Sequence, residues 1–322
     1  MNGDALVLDL ADSADVEEFR RATLAGLSRA PRAIPAKFLY DARGSALFDA
    51  ICDLPEYYLT RTETEILKRH AADIASRAGP GIALVEYGSG SSVKSRLLLD
   101  SLQNLALYSP IDISRQHLDQ TANRLRRDYP GLVVEPICAD YMALDALPLT
   151  GRPAKRLGFF PGSTLGNLEP HEAASFLRRA RRLLGGDGAL VLGVDLRKDA
   201  KRLHDAYNDS AGVTAAFTLN LLQRMNRELQ GSFDLDGFAH EAFYNPVEGR
   251  IEIYFRSLRD QAVTVAGRRF EFTAGERVHT EYSYKFDRPG LQRLVRRAGF
   301  RIAEFWTDPE ELFAVLYLEA AP

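Results

Sequence analysis

From Ile82 to Asp195 short apolar runs alternate with amphipathic stretches, and no other feature of the chain restricts its fold as much. Ile82 to Tyr87, Leu107 to Ile111, Leu132 to Ile137, Arg156 to Phe160 and Ala189 to Val194 read as buried strands. Between them Ser92 to Leu102, Gln116 to Tyr129 and Pro170 to Leu184 read as helices, the last with proline in its first turn. Strands that alternate with helices predict an α/β unit, a parallel sheet covered on both faces.

The alternation stops after Asp195. Leu203 to Leu229 reads as helical, and Arg250 to Arg256 and Val263 to Phe272 have the period of antiparallel strands. Leu291 to Ala298 is a helix closed by Gly299. Ile302 to Trp306 and Phe313 to Leu318 then form a hairpin, which suits an antiparallel edge on a parallel sheet. On the N-terminal side, Val16, Phe19, Leu24 and Leu27 give residues 12–30 a helical period, and Pro31 and Pro35 bound a break. Gly44-Ser45 opens a short helix, Pro55 to Tyr58 is a loop, and Thr62 with Glu65 is a capping-box pair. The expected division places 61–200 and 286–322 in one α/β domain, and 1–60 and 201–285 in a second, α+β domain.

Charge excludes several functions. Lys and Arg number 41 against 44 Asp and Glu, a net of −3, so no basic surplus points to nucleic acid or an anionic membrane. No apolar stretch approaches the roughly 20 residues of a membrane span. Asp4 and Asp9, without an early basic residue, are wrong for a secretory signal. Cys52 and Cys138 form no C-x-x-C, and no metal constellation is visible. The expected protein is a cytoplasmic monomer that takes a small molecule, with no metal, nucleic acid or membrane partner.

Ligands of open α/β sheets bind beyond the carboxyl ends of the strands. Glu86 stands there, followed by the turn Gly88-Ser89-Gly90, where backbone can approach a ligand closely. Asp112 ends the second strand, at the place of a carboxylate that binds a ribose diol. Asp140 ends the third, and Tyr141 follows it, an acid for an adenine amino group and a ring to cover it. The run Gly88-Ser89-Gly90-Ser91-Ser92-Val93-Lys94 lacks the third glycine of a dinucleotide fingerprint. S-adenosylmethionine has no pyrophosphate and does not need it, so the expected cofactor is S-adenosyl-L-methionine on a Rossmann-like sheet.

Five strings carry a closer resemblance. They are Val85-Glu86-Tyr87-Gly88-Ser89-Gly90, Gly162-Ser163-Thr164-Leu165-Gly166-Asn167, Gly212-Val213-Thr214-Ala215-Ala216-Phe217, Leu54-Pro55-Glu56-Tyr57-Tyr58 and Thr280-Glu281-Tyr282-Ser283-Tyr284-Lys285. From about Pro35 onward the chain resembles the histidine-specific Nα-methyltransferases of ergothioneine biosynthesis, which make the trimethylated histidine hercynine. The resemblance implies a class I methyltransferase core with a second, substrate-binding domain. It implies cofactor contacts at Gly88, Lys94, Asp112, Asp140 and Tyr141. It implies histidine contacts at Tyr57, Asn167, Tyr207, Glu281 and Ser283, with Tyr40 and Gly162 lining the same pocket. Members of that family often carry methionine where this chain has Ile253, a position expected to border the imidazole.

The residue types suit such chemistry. Glu281 and Ser283 are two apart in a strand and share a face. A carboxylate accepts an imidazole N–H, and a hydroxyl serves the other ring nitrogen. Without the resemblance the same pair also reads as a solvated strand face, Asn167 as a helix cap and Tyr207 as core. Asn167 and Tyr207 are the expected catalytic pair, orienting the α-amine, and no histidine stands out as a base. Two alternatives stay open. One is a paralogue that methylates another amino acid, such as an aromatic one. The other is a subunit that binds S-adenosylmethionine without turnover. No Asn-Pro-Pro-aromatic string follows the fourth strand, which argues against a nucleic-acid methyltransferase.

Overall fold

The structure is a computed structural model and describes residues 4–90, 93–151, 153 and 155–321. Ser91 and Ser92, read as the end of the glycine run and the start of its helix, lie outside the described residues, as does Met1. The chain begins with α1 (Asp4–Ser28), β1 (Arg32–Ala33), a 3-10 turn (Ala36–Leu39), α2 (Ala42–Cys52) and α3 (Tyr58–Ala78). There follow β2 (Ala83–Tyr87), α4 (Val93–Leu99), β3 (Leu107–Asp112), α5 (Arg115–Asp128), β4 (Ile137–Cys138) and β5 (Arg156–Phe160). A second 3-10 turn (Thr164–Asn167) leads to α6 (Pro170–Leu184), β6 (Ala189–Asp195), α7 (Ala200–Asp205) and α8 (Val213–Glu228). Next come β7 (Phe238–Asn245), β8 (Arg250–Ser257), β9 (Gln261–Val265), β10 (Arg268–Phe272) and β11 (Arg277–Tyr284). The chain closes with α9 (Arg288–Arg297), β12 (Phe300–Thr307) and β13 (Phe313–Ala320).

Two compact units result. A sheet unit takes 57–202, 246–250 and the chain from Tyr282 onward; a smaller unit takes the chain up to Glu56, 203–245 and 251–281.

The sheet unit holds seven strands in the order β12-β13-β6-β5-β2-β3-β4. β2 to β6 are parallel, and β13 runs antiparallel to both β6 and β12. This is the α/β, Rossmann-like sheet expected from the sequence, antiparallel edge included. β2 and β6 are buried along their whole length, as strands covered on both faces must be. Leu190, Leu192 and Val194 of β6 pack with Ala314, Leu316 and Leu318 of β13, against Phe176 and Leu177 of α6 and Leu291 and Val295 of α9. α6 opens with a capping box in which Glu172 accepts the Glu169 N–H at 2.9 Å.

Two expectations fail in this unit. The third strand is not Leu132 to Ile137: only Ile137–Cys138 pairs as a strand, with a single bridge from Val134 to Tyr108. Pro136 has no N–H to give the ladder, and Val133 is half exposed. The capping box at Thr62 is absent, because α3 already starts at Tyr58 and Glu65 pairs with Lys68 at 2.8 Å.

The smaller unit holds a sheet in the order β1-β11-β8-β7 and a separate ribbon of β9 and β10. Phe238 of β7 centres its core, with ring centroids 5.6, 5.7 and 5.4 Å from those of Phe233, Phe255 and Phe272. The stretch expected as one strand from Val263 to Phe272 turns back at Ala266-Gly267, both at positive φ, as a two-residue hairpin requires. The expected helix from Leu203 to Leu229 is broken before α8, where the Asp209 carboxylate caps the N–H groups of Val213 and Thr214, both at 2.8 Å. Among the described residues no helix is long and apolar enough to cross a membrane.

Candidate active site

In the sheet unit the candidate cofactor residues stand at the carboxyl ends of three neighbouring strands, β2, β3 and β4. After β2 the chain turns through Gly88 and Gly90, at φ 73° and 44°. The Gly88 N–H donates to the Ile111 carbonyl at 2.8 Å, tying the turn to β3. A Cβ on Gly88 would lie 4.0 Å from the Tyr141 ring. Asp112 and Asp140 each accept a backbone N–H two residues on, from Ser114 at 2.9 Å and from Met142 at 2.8 Å. The Tyr141 ring packs edge-on to Phe160 and Phe176, with centroids 5.5 and 5.6 Å away. Ser89 Oγ is buried with no hydrogen-bond partner among the described residues.

Glu86 lies inward of this turn, 1% exposed. Its Oε2 accepts the hydroxyls of Ser95, at 2.6 Å, and Tyr108. Burial pushes its carboxyl up to about 7, against the pull of those hydrogen bonds. The carboxylate therefore braces the turn from within the unit.

Lys94, in the first turn of α4, pairs with Glu63 of α3, a carboxylate with no exposed surface. Both Glu63 oxygens also accept the Gly162 N–H, at 3.0 and 2.9 Å. Gly162 and Ser163 follow β5 at φ 78° and 60° and lead into the turn that ends at Asn167. That turn is seated on the end of β11: a Cβ on Gly166 would come 2.7 Å from the Tyr284 carbonyl oxygen.

Behind Ser283 lies a buried charged cluster in the same unit. Lys285 Nζ donates to Ser283 Oγ at 2.8 Å and pairs with Asp195 Oδ2 at 2.8 Å. The Tyr58 hydroxyl is 2.8 Å from each Asp195 oxygen, and Lys198 Nζ donates to that hydroxyl at 2.6 Å and pairs with Asp195. Burial brings the Lys198 ammonium down to about 8, although Asp195 opposes the shift. Tyr57, buried, precedes α3 as its N-cap residue. The Tyr282 side chain alternates with Ser283 along β11, and the Arg250 guanidinium lies 3.7 Å over its ring.

In the smaller unit Tyr40 and Glu281 come together, the hydroxyl 3.5 Å from Oε1. Glu281 is 8% exposed. The Tyr40 ring is enclosed by Phe48 and Phe217, with centroids at 5.6 and 5.4 Å. Ile253 is buried on β8, the neighbour of β11, and its carbonyl accepts the Thr280 hydroxyl at 3.1 Å. Tyr207, also buried, follows α7, and its carbonyl is 2.9 Å from His240 Nε2. A carbonyl only accepts, so Nε2 carries the proton, and Nδ1, 2.9 Å from the Thr218 hydroxyl, is the acceptor.

Glu63, Asp195, Tyr58, Lys198, Lys285 and His240 escaped the sequence reading. Two of them left a signal. Asp195 is an acid at a strand end, like Asp112 and Asp140, and Lys285 continues the period of two from Glu281 and Ser283.

Comparison with known proteins bears on the whole chain. The model of the family described as histidine-specific methyltransferase, SAM-dependent, matches residues 19–320. The chain is similar to the histidine N-alpha-methyltransferase of Mycolicibacterium smegmatis, 45% identical over 305 residues, covering 93% of this chain and 94% of that one. It is 41% identical to the protein of the same name from Mycobacterium tuberculosis, again over 93% and 94% of the two chains. The ergothioneine biosynthesis protein 1 of Neurospora crassa is 32% identical over 87% of this chain, which spans 32% of that longer protein. With glycine turn, strand-end acids and nearly every residue falling within one family model, the chain belongs to the SAM-dependent, histidine-specific methyltransferases.

Proposed function

We propose that this chain transfers methyl groups from S-adenosylmethionine to the α-amine of L-histidine, three in succession, yielding hercynine for ergothioneine biosynthesis. The observation that carries the substrate is the pair Glu281 and Ser283 on β11. It offers a buried carboxylate and, two residues on, a hydroxyl held by an ammonium. An imidazole N–H can donate to that carboxylate, which a phenyl ring cannot do.

The residues at the strand ends fit the cofactor. At Gly88 backbone stands where a Cβ would already touch the Tyr141 ring, and Ser89 Oγ is a buried polar atom with no partner among the described residues. Asp112 is assigned to the ribose diol, Asp140 and Tyr141 to the adenine, and Gly88, Gly90 and Lys94 to the amino-acid end. Glu86 is assigned to bracing the turn beneath them. The bound cofactor supplies an electrophilic methyl on a sulfonium.

The protein's part is positioning. An ammonium has no lone pair, so the substrate amine must lose a proton before each transfer. Asn167 and Tyr207 are each assigned to the substrate amine, and Tyr40, Tyr57, Gly162 and Ile253 are each assigned to contacts with the amino acid. Alignment of this kind accounts for a large share of a barrier without a dedicated base. The protein is proposed to act as a monomer in the cytoplasm, which sedimentation and fractionation would test.

The deciding experiment is mass spectrometry of products after incubation with S-adenosylmethionine and a mixture of free amino acids. Trimethylated histidine alone is the expected result, and methylation of another amino acid overturns the substrate. Glu281→Ala should raise KM for histidine about 10–100-fold, the range for a lost charge-assisted hydrogen bond. Asp112→Ala should weaken cofactor binding by a similar factor.

A further inference from the structure

We propose that the charge of Glu63 sets which form of the cofactor the enzyme prefers, the methyl-bearing sulfonium over the spent thioether. The proposal rests on the assignment of Lys94 to the cofactor's amino-acid end. Glu63 stands in the apolar stripe of α3, with Leu59, Ile66 and Leu67 buried beside it. Taking a carboxylate out of water to such a place is opposed even when it is paired. Apolar residues of similar volume in place of a buried ion pair often give an equally stable protein. Folding alone therefore gives no reason for an acid at this position.

The acid is held firmly. Its oxygens accept the Gly162 N–H at 3.0 and 2.9 Å, and Oε2 pairs with the Lys94 ammonium. Gly193 of β6 has no side chain to push it away, and Glu63 has no exposed surface through which to leave. Both partners donate, as an ionised carboxylate requires. They also lie close to each other: a Cβ on Gly162 would be 3.7 Å from Lys94 Nζ. One negative charge is thus fixed against the lysine that follows the glycine turn and against the loop that runs from β5 to Asn167. All of these residues belong to the sheet unit.

S-adenosylmethionine and S-adenosylhomocysteine share carboxylate, amine and nucleoside, and differ by one methyl and its positive charge. The sulfur is a short carbon chain away from the carboxylate assigned to Lys94. A fixed negative charge beside Lys94 attracts a sulfonium and leaves a thioether indifferent. Glu63 opposes the cofactor's carboxylate too, but equally in both forms. Lys94 and Asp112 act electrostatically on Glu86, and a substitution at Glu63 leaves all three residues in place. The ratio of the two affinities, with and without the Glu63 charge, therefore isolates its attraction for the sulfonium. Successive methyl transfers demand repeated exchange of spent cofactor for fresh, and such a preference limits inhibition by the spent form.

The test is calorimetric titration of both cofactor forms into the protein without histidine. It is run at about pH 8, above the value of about 7 to which burial pushes Glu86, so that this charge stays constant. Glu63→Gln keeps the shape and an acceptor for the Gly162 N–H. It should shift the ratio of dissociation constants about tenfold toward S-adenosylhomocysteine, the order of magnitude for one pair of unit charges under protein-like screening. Sinefungin, with an ammonium in place of the sulfonium, should lose affinity together with S-adenosylmethionine. Glu63→Asp keeps the charge and should keep the ratio, whatever it does to the two affinities. An unchanged ratio in Glu63→Gln, with both affinities lowered together, marks a merely structural acid and overturns the proposal. A ratio that shifts as far in Glu63→Asp overturns it as well. If Glu63→Gln does not fold, Lys94→Met is compared with the double variant Lys94→Met with Glu63→Gln, which differs from it by the same charge. Unchanged binding of both forms to Lys94→Met is a different failure, that of the Lys94 assignment, and the Glu63→Gln ratio is read independently of it.

Discussion

The carboxylate of Glu63 fills the space that a side chain on Gly193 would need: a Cβ built there would lie 2.0 Å from Oε1. Glu63 comes from α3, and Gly193 is in the middle of β6. The missing side chain lets a charged group reach the sheet, where it holds Lys94 and the Gly162 N–H together.

Gly193→Ala should displace that carboxylate and destabilise the protein by about 3 kcal/mol, within the range for overpacking a core. Lys94→Met should cost about 3–5 kcal/mol, because it strands a buried charge. The double variant Lys94→Met with Glu63→Gln should recover much of that loss. Denaturant unfolding of the three variants checks the order, and a double variant no more stable than Lys94→Met would refute it.

Gly166→Ala tests the seat of the Asn167 turn. The new methyl would meet the Tyr284 carbonyl oxygen at 2.7 Å, backbone that cannot rotate away. The expected loss of stability is about 1–3 kcal/mol. Activity should fall further than unfolding explains, since Asn167 shifts with the turn. Turnover measured well below the melting temperature separates the two effects.

Glu86 predicts a pH-dependent term. Its folded carboxyl titrates near 7 against an ordinary 4.5. The folded state therefore binds the extra proton between these values. The group's stabilising contribution is complete below about 4.5 and is lost as pH rises through about 7. Glu86→Gln keeps an acceptor for Ser95 and Tyr108 and removes the charge. It should match the wild type near pH 5 and exceed its stability above pH 7, by on the order of 3 kcal/mol. Unfolding curves across pH 5–8 provide the comparison.

His240 has the opposite sign. Burial holds its imidazole below the ordinary 6.5, the bond to the Tyr207 carbonyl notwithstanding. The unfolded chain then binds the extra proton, so stability is complete above about 6.5 and falls as pH drops toward the folded value. His240→Gln should remove this term. The melting temperature of the wild type should decline more steeply than that of the variant between pH 6.5 and 5. Parallel curves would show that His240 does not titrate with unfolding.

What could be read from the sequence was local. β2, β5 and β6 are continuous apolar runs, and such runs are strands buried on both faces. Asp112 is legible because it is the last residue of β3, and Asp140 because it follows β4 by two residues. Pro136 sits inside a mostly apolar run that reads as a strand, and its missing N–H keeps most of that run out of the sheet. β7 is not legible in the sequence, because Phe238-Ala239-His240-Glu241 mixes polar and apolar residues without a clean period. Glu63 with Lys94, Lys285 with Asp195, and His240 with Tyr207 are partners across 31, 90 and 33 positions, and nothing local marks any of these pairings.

The place of β13 in the sheet has a consequence for how the protein is made. Its neighbour β6 is complete at Asp195, but β13 begins only at Phe313, after the whole of the smaller unit has been translated. At roughly 5–20 residues per second the wait is on the order of ten seconds. Throughout it the β6 edge, seven buried residues long, offers its unpaired backbone to any other strand. The nascent chain should therefore depend on a chaperone for that interval. A circular permutant that places β12 and β13 ahead of β2 would shorten it.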